Sequence, residues 1–204
     1  MKSLFSRSFV LSSIVLATIF AQACQPNSTS SLYDELGLEE ITVDELQSRY
    51  DAGELTARQV VQAYIERIES LDTSGPMLNS VRFVNPNAIA VAEELDQERA
   101  NGIVRGPLHG VPILLKDNID TYDMPTTAGS QFMANSIPPD DAFIVKKLRD
   151  AGAIILGKTN LSEWANFHSS YSASGWSGLG GQVRNPYDLD RNPCGSSSGS
   201  GAAG

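Results

Sequence analysis

An apolar run, an amphipathic helix and a second apolar run, in that order, constrain this chain most. Val111-Pro-Ile-Leu-Leu115 is continuously apolar, as in a strand buried on both faces. Asp141 to Ala151 follows as an amphipathic helix whose apolar residues are Phe143, Ile144, Val145 and Leu148, and Gly152 ends it. Ala153-Ile-Ile-Leu156 is a second buried strand, and Asn160-Leu-Ser-Glu163 predicts the capped start of another helix. Strand and helix alternating in this way define α/β architecture, in which ligands gather beyond the carboxyl ends of the strands. Lys116 stands at such an end, followed by Asp117-Asn118.

Residues 32–110 read as helical with one short strand. Thr42-Val-Asp-Glu45 and Thr56-Ala-Arg-Gln59 are capping boxes that open two helices, and Gly53 suits the far end of the first. The second helix sets Val61, Tyr64, Ile65, Ile68 and Leu71 on one face. Leu78 to Val84 is the expected strand. Asn85-Pro86 predicts the start of a third helix that ends before Gly102 and buries Ala88, Val91, Ala92 and Leu95.

The first residues are set apart from the fold. Met1 to Arg7 is a basic stretch, Phe9 to Phe20 is apolar but short for a membrane span, and Ala21-Gln-Ala23 fits a cleavage site. Residues 1–23 therefore read as a secretory signal peptide. Cys24 follows directly, as in a bacterial lipobox, where it would be lipidated; ordinary cleavage leaving a free Cys24 thiol is the alternative. A lipidated Cys24 would anchor an exported protein in the periplasm, at the outer membrane or at the cell surface, with residues 24–31 as a polar tether. Without Lys2 and Arg7 the chain has 13 basic and 24 acidic residues, a net charge of −11. That balance argues against nucleic acid or an anionic membrane face as the main partner. Cys24 and Cys194 are the two cysteines, and no cysteine–histidine cluster has zinc spacing, so no metal is expected.

From Ser169 onward the chain is rich in Gly, Ser, Asn and Pro, a loop or linker by composition. It closes on Cys194-Gly-Ser-Ser-Ser-Gly-Ser-Gly-Ala-Ala-Gly204, where Ala202-Ala203 suggests a helix start. Gly195-Ser-Ser-Ser-Gly199 fits the G-x-S-x-G nucleophile elbow with Ser197 central, but that motif needs a strand directly before it, and Arg191-Asn-Pro193 is a poor one. A phosphate loop fails because no Lys-Ser or Lys-Thr follows the glycines. Alone, Lys116 reads as an exposed strand-end lysine and Ser196 to Ser200 as a flexible linker.

Read together, these segments resemble the amidase signature family. Gly106-Pro-Leu-His-Gly-Val-Pro-Ile-Leu-Leu-Lys-Asp-Asn118 is similar to its lysine segment and Pro125-Thr-Thr-Ala-Gly-Ser130 to the turn that follows. Asp141-Ala142, Leu148-Arg-Asp-Ala-Gly-Ala153, Gly157-Lys-Thr-Asn-Leu-Ser-Glu163 and Asn185-Pro186 continue in family order, and Asn192 to Ala203 resembles the serine–glycine loop. Cys194 and Ser198 stand where that loop typically has glycine, a costly exchange if φ must be positive. The resemblance spans roughly residues 40–204 and implies a mixed central sheet covered by helices, with 32–204 the N-terminal part of the domain.

It also implies the chemistry: hydrolysis of carboxylic amides, at carbon–nitrogen bonds other than peptide bonds, through a Ser-Ser-Lys triad and an acyl-serine intermediate. Lys116 is then the base and Ser196 the relay to a nucleophilic serine. A hydroxyl suits the relay because it accepts from one partner and donates to the other. Lysine is a useful base only when burial lowers its pKa from about 10.4. The bond joining Gly195 to Ser196 is expected to be cis. The nucleophile is expected in a second glycine-rich turn beyond Gly204, so the chain alone is expected to be inactive. The implied partner is a small-molecule amide, with no metal or organic cofactor. Asp117 reads as a loop acid or cap, and His109 and His168 as structural or loop residues. A non-catalytic surface lipoprotein that binds a partner is the reading from a different class.

Overall fold

A computed structural model describes residues 30–204. The signal, cleavage and lipidation expectations, Cys24 included, lie outside the described residues.

The described residues open on three helices that cap themselves. Ser31, Thr42 and Thr56 each accept the N–H of a residue three positions on, and Asp34, Glu45 and Gln59 reach back in turn. They start α1 (Leu32–Glu35), α2 (Val43–Asp51) and α3 (Ala57–Arg67). The Asp96 carboxylate also takes the N–H groups of Ala57 and Arg58 at 2.7 and 3.0 Å, placing negative charge at the positive end of α3. Ala57, Val60, Val61 and Ala63 are the buried residues of α3, while Tyr64, Ile65 and Ile68 pack half-buried against the same core. A π-helical turn, Ile68–Asp72, follows, and there the Asp72 carboxylate accepts from the backbone of Ser80 and Val81.

That capture shortens the strand expected over 78–84: β1 spans Val81–Val84. α4 (Ala88–Ala100) starts two residues later than Pro86 suggests, because Asn85 spends its side-chain oxygen on the Asn87 N–H. Ala88, Ala92 and Leu95 are buried as expected, while Val91 packs only half-buried against the core. Strand β2 (Pro112–Lys116), helix α5 (Phe143–Asp150) and strand β3 (Ile154–Thr159) then form the expected strand–helix–strand unit, with β2 and β3 parallel. The sheet order is β1-β3-β2, and β1 runs antiparallel to β3, so the sheet is mixed.

The strand–helix–strand unit differs from expectation in three ways. β3 is longer than its apolar core: Gly157, Lys158 and Thr159 extend it, and all six residues are buried. Gly157 is required there, since a Cβ would lie 2.2 Å from the Phe83 carbonyl oxygen on β1. β2, expected to be buried on both faces, buries only Leu115; it is an outer strand, with a ladder partner on one side among the described residues. In α5 the buried side is Val145, with Leu148 packed beside it against Leu115, Met124 and Ile155. Phe143 and Ile144, counted in the apolar face, are 76 and 57% exposed because they flank that contact line.

The helix expected from Asn160 is absent. Both residues of the expected capping box serve distant backbone and side chains instead. Asn160 Oδ1 accepts from the adjacent Leu161 N–H at 2.9 Å and from the distant Ser177 hydroxyl at 3.0 Å, and the Glu163 carboxylate accepts from the Gly178 N–H at 2.5 Å. The segment Glu163–Asn166 instead makes a left-handed turn, with Trp164, Ala165 and Asn166 at φ 48°, 55° and 68°. The Gly/Ser-rich stretch is folded: β4 (Trp176–Ser177) and β5 (Gly181–Gln182) form a hairpin, and Ala202-Ala203 belongs to a closing helix, α6 (Ser198–Ala203).

Candidate active site

The parallel register sets Lys116 opposite Thr159, so β2 and β3 end together at one edge of the sheet. Lys116 and Ser196, 80 residues apart in sequence, meet there, with Lys116 Nζ 2.8 Å from Ser196 Oγ. Both are half-buried. Removal from water holds the Lys116 ammonium below its ordinary pKa. The Gly195–Ser196 peptide bond is cis, as the resemblance implies.

The turn after Lys116 is locked from within. Asp117 is fully buried; its carboxylate accepts from the N–H of Thr127 at 3.1 Å and from the Thr127 hydroxyl, and its own N–H donates to the Thr159 carbonyl at 3.1 Å. Burial raises its pKa, with the Thr127 hydrogen bonds opposing. Asp117 is thus a loop-organising acid, as read from sequence. Beside it lies Lys158, to which sequence reasoning gave no role. Its ammonium is fully buried and donates to the Ile119 carbonyl (2.7 Å), the Pro125 carbonyl (3.2 Å) and Thr126 Oγ1 (3.0 Å). Those three acceptors match its three donors. Burial still lowers its pKa, with the nearby Asp117 charge opposing.

The serine loop is held from the opposite side. The Ser162 N–H donates to the Ser196 carbonyl at 3.1 Å, and the Gly199 N–H donates to the Asn160 carbonyl at 2.9 Å. Thr159 Oγ1 lies 2.8 Å from Ser200 Oγ, joining α6 to the end of β3. Cys194 does take a left-handed conformation, φ 63°, the geometry for which glycine is the usual choice. Ser198 instead is the first residue of α6 and is buried. Ser197 follows loop rather than strand, so the G-x-S-x-G elbow lacks the strand it requires.

One histidine is structural and the other lies in an exposed loop. His109 is buried; its Nδ1 accepts from the Arg105 N–H, which leaves Nε2–H to donate to the Leu95 carbonyl at 3.0 Å. His168 is exposed, 3.2 Å from the Glu163 carbonyl.

Fold and site together define a mixed α/β domain that presents a partly desolvated lysine to a serine in a glycine-rich loop. The family model for amidases matches residues 59–203. A Schizosaccharomyces pombe protein named as an amidase is 48% identical over 164 residues, 80% of this chain and 28% of that one. The native peptide amidase of Stenotrophomonas maltophilia superposes with a TM-score of 0.80 at 54% identity, covering 82% of this chain and 34% of that structure. An amidase family protein of Bacillus anthracis gives 0.79 at 41% identity, over 91% and 37%. The chain belongs to the amidase family, and it spans about a third of the length of the relatives it matches.

Proposed function

We propose that these residues supply the base and the proton relay of a serine amide hydrolase. Neutral Lys116 takes the Ser196 hydroxyl proton, and Ser196 takes the proton of a nucleophilic serine in a second glycine-rich turn outside residues 1–204. That serine adds to the amide carbonyl, ammonia or an amine departs with a returned proton, and water releases the acid from the acyl-serine. The observation that carries this reading is the 2.8 Å approach of Lys116 Nζ to Ser196 Oγ at a position where burial already disfavours the ammonium.

The substrate class is carboxylic amides. The likeness to a peptide amidase adds amidated peptides to the small amides that the sequence suggests. We further propose, on residues 1–24 alone, that the protein is exported and anchored through a lipidated Cys24.

The test is ammonia release by the full-length protein from simple amides and from amidated peptides, beside Lys116→Ala and Ser196→Ala. Turnover that falls by several orders of magnitude in Lys116→Ala, with the fold intact, supports the reading. Near-normal turnover in that variant overturns it.

A further inference from the structure

Ser196 is held by more than its contact with Lys116. Two buried hydroxyls, Ser162 and Ser198, close on the peptide units flanking it. The bonds form one directed chain. The Gly175 N–H donates to Ser162 Oγ at 2.8 Å, and the Ser198 hydroxyl donates to the Cys194 carbonyl at 2.7 Å. Ser198 has then spent its single proton, so the 3.4 Å contact between the two hydroxyls runs from Ser162 to Ser198. Ser162 also gives its own backbone N–H to the Ser196 carbonyl at 3.1 Å.

The packing is as close as the bonding. A Cβ on Gly195 would lie 2.5 Å from Ser162 Oγ and 2.7 Å from Ser198 Oγ, so the two hydroxyls press on the residue next to Ser196. The carbonyl before Gly195 is tied by the Ser198 hydroxyl and the carbonyl of Ser196 by the Ser162 backbone N–H. Rotation of the Ser196 side chain away from Lys116 by movement of its backbone would break one of these ties. A glycine at 198 would leave the Cys194 carbonyl without this donor.

We propose that Ser162 and Ser198 are positioning residues that fix Ser196 against Lys116, acting through the Gly175–Ser162–Ser198–Cys194 chain of hydrogen bonds. The inference rests on the reading of Lys116 and Ser196 as base and relay. Neither hydroxyl takes part in the proton path itself; each fixes the loop from which Ser196 reaches the lysine.

The experiment measures kcat, KM and the pH dependence of kcat/KM for amide hydrolysis by the full-length protein, for Ser198→Ala, Ser162→Ala and the double variant. Ser198→Ala, which frees the Cys194 carbonyl, is expected to lower kcat about 10- to 100-fold, the scale of an ångström-level misplacement of a reacting group, and Ser162→Ala, which keeps the backbone tie to Ser196, by less, each with KM within about twofold. The acid limb should move to higher pH, because a displaced Ser196 lets water reach the Lys116 ammonium. Because both hydroxyls act through one chain, the double variant should be little worse than the worse single one. A purely structural role would lower the melting temperature and leave the limb and kcat of the folded enzyme unmoved; that result overturns the proposal. Should Ser198→Ala fail to fold, Ser198→Gly, which likewise leaves the Cys194 carbonyl without this donor, takes its place. Near-normal turnover in Lys116→Ala would remove the base assignment and this inference with it. Loss there, with unchanged kinetics in both serine variants, would remove the positioning role only.

Discussion

Gly199→Ala offers a quantitative test of how the serine loop is seated. A Cβ at this position would stand 2.1 Å from the Ser80 carbonyl oxygen and 2.5 and 2.7 Å from the Asn160 carbonyl oxygen and nitrogen. All three are backbone atoms, so no side-chain rotation relieves the clash, and α6 must move outward by more than an ångström to reach ordinary contact. That movement breaks the 2.9 Å bond from the Gly199 N–H to the Asn160 carbonyl. Overpacking of this kind costs about 1–3 kcal/mol, and the lost backbone bond about 1 more, so stability should fall by about 2–4 kcal/mol. Gly201, two residues on in the same helix, has nothing within 4 Å of where a methyl would stand, and Gly201→Ala should be neutral or stabilising by up to about 1 kcal/mol. Urea denaturation of the two full-length variants measures both, and amide turnover should fall about a hundredfold in Gly199→Ala alone, because Ser196 moves with the helix. Equal stability of the two variants would refute the packed loop and restore the linker that composition suggests.

Two further outcomes concern the lysines of the site and one concerns the N-terminal segment. The fold holds Lys116 below its ordinary pKa, so the unfolded chain binds that proton more tightly; the penalty is complete below the folded pKa and fades as pH climbs toward about 10.4. Lys116→Met should therefore raise the melting temperature at neutral pH while abolishing turnover, and wild-type turnover should rise with pH. Lys158→Met would leave three oxygens without their donor and should cost about 3 kcal/mol in urea denaturation. Metabolic labelling with a fatty-acid probe should mark the wild-type protein and not Cys24→Ser; an unlabelled wild type would contradict lipidation.

Local rules made much of the framework legible. The capping boxes at Thr42 and Thr56 rest on partners three residues apart, so the sequence contains the whole interaction. The strand–helix–strand unit was legible because each apolar run is long enough to show its burial. The failures have one cause. Asn160 and Glu163 look like a capping box, yet their oxygens serve the β4–β5 hairpin, and nothing within four residues signals that choice. Lys158 carries no local signal of its role, because its three acceptors come from a turn more than thirty residues away. Phe143 and Ile144 share the helical period of Val145 and Leu148 but not their neighbours. Lys116 and Ser196 were each found at their place in the sequence through family likeness, while their contact belongs to the fold.

The pKa of the Lys116 amine, read directly, tests the central claim. Full-length protein would be exposed to an amine-reactive reagent across a pH series, and the labelling rate at Lys116 followed by mass spectrometry. The predicted midpoint lies below the ordinary lysine value of about 10.4 and coincides with the acid limb of kcat/KM for amide hydrolysis. A midpoint at or above that value, or an acid limb that stays in place when Lys116 is replaced, would contradict the assignment of Lys116 as the base.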